Sequence, residues 1–104
     1  RPLDPRTDVY SLALMTYEML TAKLPFTGKT QQEMMIARLR SDPIPLRDAA
    51  PGLGLAAVER VLHKAMQRDP GDRYQSAPEF ATALATASKA DGEETSRLGR
   101  FFAR

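Results

Sequence analysis

The hydrophobic pattern predicts four helices, the first of which differs from the rest. Between residues 9 and 20 apolar side chains fall on nearly every face of a helix, and Glu18 is the only charged residue. Such a pattern is typical of a helix that is buried on all sides. Thr7 or Asp8 is placed to act as its N-cap or first-turn acid, and Pro25 limits its end. We expect a central helix that needs more protein around it than these 104 residues supply.

The second predicted helix is amphipathic and lies on the surface. Thr30 and Glu33 have the spacing of a capping box, which predicts a helix that runs from there to about Arg40. We expect Arg38 and Arg40 to face solvent on one side of this helix. The other side would be formed by the apolar residues Met34, Met35, Ile36 and Leu39.

Two more amphipathic helices follow a proline-rich connection. Residues 42–45, Asp-Pro-Ile-Pro, predict an extended stretch, because proline lacks an N–H donor and disfavours helix in the residue before it. An irregular loop is expected to continue to Gly54. From residue 55 to 67 apolar positions recur every three or four residues, which indicates a helix with one buried stripe. Ser76 and Glu79 form a second capping box, which starts the last helix.

The carboxyl-terminal residues 89–104 lose the helical period and gain charge. We predict a mobile tail or linker there, so that the folded domain comprises residues 1–88. A less favoured hypothesis is a short basic amphipathic segment on a membrane, in a parent protein tethered through a downstream segment. That segment would use Arg97, Leu98, Arg100, Phe101, Phe102 and Arg104.

The composition argues against several classes of function. Fifteen basic and thirteen acidic residues give a net charge of +2, which is too small and too evenly spread to indicate a nucleic-acid partner. The absence of cysteine and the single histidine, His63, rule out a disulfide framework and disfavour a zinc site. No apolar run approaches the roughly 20 residues of a membrane helix, and no signal peptide is apparent. A cytoplasmic location is therefore expected.

Three local motifs suggest ligand sites, and none has the full pattern. Residues 28–30, Gly-Lys-Thr, end like a P-loop, but that motif needs a glycine where Lys23 stands and a strand before it. His63 has no second ligand or nucleophile at a suitable spacing. Residues 69–72, Asp-Pro-Gly-Asp, lack the further oxygen ligands of a calcium loop. We therefore predict no catalytic, cofactor-binding or metal-binding residue in this chain.

An ordered set of short motifs is more specific than these isolated signals. The motifs are Asp-Val-Tyr-Ser-Leu at 8–12, Tyr-Glu-Met-Leu at 17–20, Pro-Phe at 25–26, Arg-Asp-Pro at 68–70 and Arg-Tyr at 73–74. Over residues 4–86 the chain resembles the C-terminal part of the large lobe of bacterial, eukaryotic-like (Hanks-type) serine/threonine protein kinases. The resemblance implies an all-α subdomain whose four helices correspond to those lettered F, G, H and I, with the apolar helix at the centre.

The resemblance also implies roles for particular residues. Asp8 matches the aspartate that accepts hydrogen bonds from the backbone of the catalytic loop, and Arg73 matches the arginine that pairs with a glutamate at the end of the activation segment. Both would be structural anchors. Ala13 stands where the family usually has glycine, which implies a small local adjustment. A docking surface for substrates or regulators would include Thr30, Met34, Met35 and Arg38.

The resemblance implies a fragment without an active site. Phosphoryl transfer needs a glycine-rich loop, a lysine on the phosphates, a catalytic aspartate and asparagine, and a metal-binding aspartate, and the sequence contains none of these motifs. ATP and Mg²⁺ are expected only in a complete parent kinase, so this chain alone is expected to be inactive. Asp8 and Arg73 would lack their partners and turn to solvent, or the chain would self-associate or pack loosely.

Two alternatives stay open at this point. One is a non-catalytic helical interaction module, and the other is an unrelated domain with four antiparallel helices around a shared seam. In the kinase interpretation, the partners would be the remainder of a kinase domain or a protein substrate or regulator, with no nucleic acid and no membrane.

Overall fold

The described part of the protein is entirely helical. The computed structural model describes the backbone of residues 4–102 and the side chains of residues 4–94. Its elements are α1 (Pro5–Thr21), α2 (Gln31–Arg40), α3 (Leu46–Ala49), α4 (Ala56–Ala65), a 3-10 turn (Pro70–Asp72) and α5 (Ala77–Phe102). The predicted all-α class is confirmed, and the four long helices lie where the sequence indicates them.

Helix α1 begins earlier than its hydrophobic pattern suggests. The N-cap is Asp4, whose Oδ1 accepts a hydrogen bond of 2.9 Å from the backbone N–H of Arg6. Pro5 follows at the first helical position, where its fixed φ suits a helix and its missing N–H costs nothing. The prediction of Thr7 or Asp8 as the N-cap is therefore wrong, while Asp8 does lie in the first turn as an acid.

The core lies where α1, α4 and α5 meet, and the largest helix–helix contact joins α4 to α5. Its buried residues are Val9, Tyr10, Ala13, Tyr17, Phe26, Leu46, Val58, Leu62, Ala65, Met66, Phe80 and Ala87. Val9, Ala13 and Tyr17 recur every four residues, so they form one face of α1.

The opposite face of α1 remains open. Leu12, Met15 and Met19 recur at three- and four-residue spacing, and Met19 is 83% exposed. Within residues 4–94 no described element covers this second face, which agrees with the expectation that α1 needs more protein around it than the chain supplies. We call Leu12, Met15, Met19 and Leu20 the outer face of α1.

Helix α2 has the expected boundaries but buries less apolar surface than predicted. The hydroxyl of Thr30 accepts a hydrogen bond of 3.1 Å from the N–H of Glu33, which confirms the predicted cap. Arg38 and Arg40 are exposed, as predicted, and Arg38 also contacts Tyr10 of α1. Met35, Ile36 and Leu39 are exposed, and no residue of α2 is buried. Met34 is half-buried and Ala37 packs against the core, so the apolar packing of α2 is slight.

Two stretches predicted to be irregular contain helix. The loop before Gly54 includes α3, which is held by the buried side chain of Leu46 and by an ion pair between Arg47 and Glu59 of α4. The tail predicted from Lys89 is wrong for the described backbone, because α5 continues without a break to Phe102. Within this stretch Asp91 is buried against the start of α4.

The membrane hypothesis for the tail named Arg97, Leu98, Arg100, Phe101, Phe102 and Arg104, whose side chains lie outside the described residues. Among the described residues, no helix is both long and apolar enough to span a bilayer.

Candidate functional site

Arg73 is the best-fixed of the residues singled out from the sequence. It follows the 3-10 turn, and its side chain points back toward the start of α1. Its Nε donates to the carbonyl of Gln67 at 2.6 Å, and its two Nη atoms donate to the carbonyls of Arg6 at 3.2 Å and Arg68 at 3.3 Å. The expectation that Arg73 would turn to solvent is wrong, because these three carbonyls hold the half-buried guanidinium.

Tyr10 links Arg73 to α2. The guanidinium of Arg73 lies 4.7 Å from the centre of the Tyr10 ring, and that of Arg38 lies 4.4 Å from it. Arg38 Nε also donates to the Tyr10 hydroxyl at 2.9 Å. Burial lowers the pKa of Arg73, and the nearby positive charge of Arg38 acts in the same direction while Tyr10 opposes it. The aromatic ring therefore stabilises two cations that repel each other.

The acid nearest this cluster is already engaged. Asp4 accepts two hydrogen bonds from Arg6 Nε and a third, of 3.0 Å, from an Arg6 Nη. The hydrogen bonds from Arg6 hold the pKa of the Asp4 carboxyl below its usual range. Within residues 4–94, neither Arg38 nor Arg73 forms an ion pair. The cluster thus has a net positive charge that faces the first turn of α1.

Asp8 lies in a different environment. Its side chain is exposed on the first turn of α1, whereas Arg73 is half-buried. An ionised carboxylate can only accept hydrogen bonds, so Asp8 is available to N–H donors from outside the described residues. Of the two predicted anchors, Arg73 is therefore a hydrogen-bond donor held in place, and Asp8 is an exposed acceptor.

Three of the four residues predicted to form a docking surface make other contacts. Thr30 is occupied as the N-cap, Met34 is half-buried against Gly28, and Arg38 lies on Tyr10. Only Met35 is fully available, at 61% exposed. Its exposed neighbours are Ile36 and Leu39, so these three residues form the outer face of α2.

A groove between α4 and the proline-rich connection was not predicted. It has a volume of about 710 Å³. The Tyr17 hydroxyl at its floor donates to the carbonyl of Ile44 at 2.6 Å. Burial raises the pKa of Tyr17, and the negative charges of Asp48 and Glu59 raise it further. Among residues 4–94, no three histidine or carboxylate side chains are placed to hold a metal ion.

Comparison with known proteins places this arrangement in a family. No family model matches the chain. It is 35% identical over 96 residues to the serine/threonine-protein kinase PknB of Mycobacterium tuberculosis, covering 92% of this chain and 15% of that protein. It is 38% identical over 102 residues to the serine/threonine-protein kinase pkn2 of Myxococcus xanthus, covering 93% of this chain and 12% of that protein. A probable PknB of Corynebacterium glutamicum is 34% identical over 92 residues, covering 86% of this chain and 14% of that protein.

The fold and the ordered motifs define the helical part of a protein-kinase large lobe. The chain belongs to the bacterial Hanks-type serine/threonine protein kinases, as the C-terminal part of that lobe. It spans only 12% to 15% of the length of the curated relatives just described. Similarity over most of the chain argues against a chance match by an unrelated four-helix domain.

Proposed function

We propose that this chain is the helical scaffold of a serine/threonine protein kinase whose parent reaction is phosphoryl transfer from ATP to protein hydroxyls. In this proposal the described residues supply the base on which a catalytic loop and an activation segment are held. The remainder of a kinase domain is then the principal partner. The open outer face of α1 supports this, because a continuous apolar stripe on a soluble protein marks an interaction surface.

The geometry of Arg73 is the observation that carries the proposal. A guanidinium has five N–H donors, and three of those of Arg73 bind carbonyls. One donor remains on each terminal nitrogen, which is the pair that a carboxylate binds in a bidentate contact. The carbonyls and the Tyr10 ring hold this group in place before any acid arrives, so little side-chain freedom remains to be lost on binding.

Asp8 would receive the second contact. By the family resemblance, its carboxylate accepts hydrogen bonds from the backbone of the catalytic loop and so fixes the shape of that loop. Its exposure on the first turn of α1 leaves it accessible to such donors. Neither Asp8 nor Arg73 touches the transferred phosphate in this scheme, so both act as positioning residues.

The chain alone is expected to neither bind ATP nor transfer phosphate, because the groups that hold the nucleotide and its Mg²⁺ are not among its residues. Adding ATP and Mg²⁺ should leave its melting temperature unchanged. A concentration-dependent rise in melting temperature would reveal a nucleotide site and overturn this part of the proposal.

A chimera tests the scaffold role. This chain would replace the corresponding segment of the M. tuberculosis PknB, and phosphoryl transfer to a protein substrate would be measured. We expect an active chimera, and Asp8→Asn or Arg73→Ala should lower kcat by at least about tenfold, since each loses a hydrogen-bonded charge that positions the catalytic residues.

The matched control for Asp8 is Glu18→Gln, which removes an exposed acid from the other end of α1 and should leave kcat unchanged. Arg40→Ala, at an exposed position of α2, is the corresponding control for Arg73. A folded but inactive chimera, or equal effects of the anchor and control variants, would contradict the proposal.

The outer face of α2 favours a second candidate function, the docking of a protein substrate or regulator. Met35, Ile36 and Leu39 are exposed on a helix that contributes nothing to the buried core. This function requires no active site in the chain, so it also fits a non-catalytic interaction module.

Substrate length separates docking from catalysis. In the chimera, Met35→Glu should raise KM for a protein substrate and leave the kinetics on a short peptide unchanged, because only the larger substrate reaches α2. Gln32→Glu adds the same charge at another exposed position of α2 and serves as the control. Equal KM values for Met35→Glu and the parent chimera would exclude docking at this face.

A further inference from the structure

Helix α4 lacks an N-terminal cap of its own. Its N-cap residue, Leu55, makes no side-chain hydrogen bond. The first N–H groups of a helix have no partner within the helix, and they cost free energy when they are buried without one. In this protein Asp91 of α5 supplies the partner: Oδ1 accepts from the N–H of Ala57 at 2.9 Å, and Oδ2 accepts from that of Val58 at 3.0 Å.

The position of Asp91 on α5 is normally an apolar one. The helix meets the core through Phe80, Leu84 and Ala87, at spacings of four and three residues. Asp91 comes four residues later on the same stripe, and it is only 6% exposed. A carboxylate is costly at such a place unless it is hydrogen-bonded. Two backbone donors and the positive end of the α4 dipole provide the compensation here.

Local sequence preference does not explain the helix around Asp91. Residues 89–94 read Lys-Ala-Asp-Gly-Glu-Glu, and aspartate and glycine are poor helix formers. Gly92 is exposed, and a side chain there would meet no other atom, so no close packing requires glycine at this position. A tertiary contact at Asp91 offsets the unfavourable preference of these two residues.

We propose that Asp91 is a tether that makes residues 89–94 part of the folded unit and fixes the direction in which α5 leaves it. The single carboxylate has two roles. It caps α4, and it holds residues 89–94 of α5 against the start of α4. Whatever follows α5 is thereby coupled to α4 through a helix held in place, and not through a flexible linker that starts at Lys89.

Substitution of Asp91 distinguishes the tether from intrinsic helix propensity, because the two predict changes of opposite sign. Alanine is the better helix former, so Asp91→Ala should increase amide protection over residues 89–94 if only local preference matters. The tether predicts decreased protection there. It also predicts that the amides of Ala57 and Val58 exchange about tenfold faster, as expected when a cap is lost.

A neighbouring acid provides the control. Glu93→Ala changes an exposed carboxylate two residues away and should leave the amides of Ala57 and Val58 unchanged. Asp91→Asn keeps the shape of the side chain but offers one acceptor oxygen in place of two, so exchange at these amides should be intermediate. If Asp91→Ala does not fold, Asp91→Asn decides the question. An intermediate exchange rate at the amides of Ala57 and Val58 supports the tether, and a wild-type exchange rate overturns it.

The direction of α5 can be measured separately. The chain contains no cysteine, so spin labels can be attached at Arg60→Cys on α4 and Glu94→Cys on α5, both at exposed positions. We expect a narrow distance distribution with Asp91 present and a broad one in Asp91→Asn. Unchanged distributions, together with unchanged exchange at Ala57 and Val58, would show that Asp91 does not tether α5.

Discussion

The α4–α5 pair and helix α1 differ in how much of their apolar surface and how many of their polar groups have partners among the described residues. In the α4–α5 pair, apolar residues meet across the contact, and the start of α4 receives its cap from Asp91. Helix α1 is buried through Val9, Ala13 and Tyr17 but leaves Met15 and Met19 open. The difference teaches that the first region finds its packing and capping partners among the described residues, whereas the second is a core helix with one apolar face that no described residue covers.

Substitution of two methionines tests this difference in burial most directly. Met66 is 3% exposed at the end of α4, and Met19 is 83% exposed on the outer face of α1. Met66→Ala should lower the free energy of unfolding by about 3 kcal/mol, because it removes buried surface and leaves a cavity. Met19→Ala should change it by less than about 0.5 kcal/mol. Urea unfolding of both variants is the measurement, and equal losses would mean that the outer face of α1 is covered in the isolated chain.

The second prediction concerns the contact that joins the two regions. Arg73→Lys keeps the charge but loses the planar group that binds three carbonyls and stacks on Tyr10. We expect the free energy of unfolding to fall by about 2 kcal/mol, as for hydrogen bonds that involve a charged group. Arg40→Lys on exposed α2 should have no measurable effect. A stable Arg73→Lys protein would show that the three carbonyl contacts contribute little.

The third prediction tests whether the outer face of α1 binds a second copy when no kinase partner is present. Burying such side chains drives association, so the isolated chain should self-associate with increasing concentration. Replacing both Met15 and Met19 by Glu should weaken this association by at least about tenfold. Sedimentation velocity would measure it, with Met35→Glu on α2 as the control. If the control and the double variant weakened association equally, the contact would not be specific to α1.

The smallest expected effect is the pH dependence contributed by Tyr17, which joins α1 to the groove beside α4. Burial raises its pKa in the folded state, so the unfolded chain releases this proton first as the pH rises. The contribution of Tyr17 to the free energy of unfolding should therefore be constant below about pH 10 and should decrease above it. Tyr17→Phe should show a shallower alkaline decrease in urea unfolding. An identical slope in the two proteins would contradict the assigned cause.

Much of the fold follows from local sequence signals. The cap at Thr30 is predicted by residues within one turn of each other. The buried stripe of α4 is predicted by a repeat of apolar residues along one helix. The start of α1 at Asp4 also had a local signal, an aspartate followed by proline, but the hydrophobic pattern that began at Val9 obscured it.

Two features that the sequence did not indicate have a different physical origin, since each depends on a contact between distant residues. Arg38 contacts Tyr10, 28 positions earlier, which accepts its hydrogen bond and stacks with it. The helix past Lys89 persists because Asp91 binds amides 33 and 34 positions away. A hydrophobic pattern carries no information about such polar partners, so neither contact could be predicted from the sequence of one segment.

The methyl groups of the methionines offer the most direct test of the claim that the outer face of α1 is an interface for the rest of a kinase. In the isolated chain, a soluble paramagnetic agent should broaden the methyl signals of Met15, Met19 and Met35 and spare that of Met66. In the active chimera, the account predicts that Met15 and Met19 become protected while Met35 stays accessible. Equal accessibility of Met15 and Met19 in the chain and in the active chimera would contradict it.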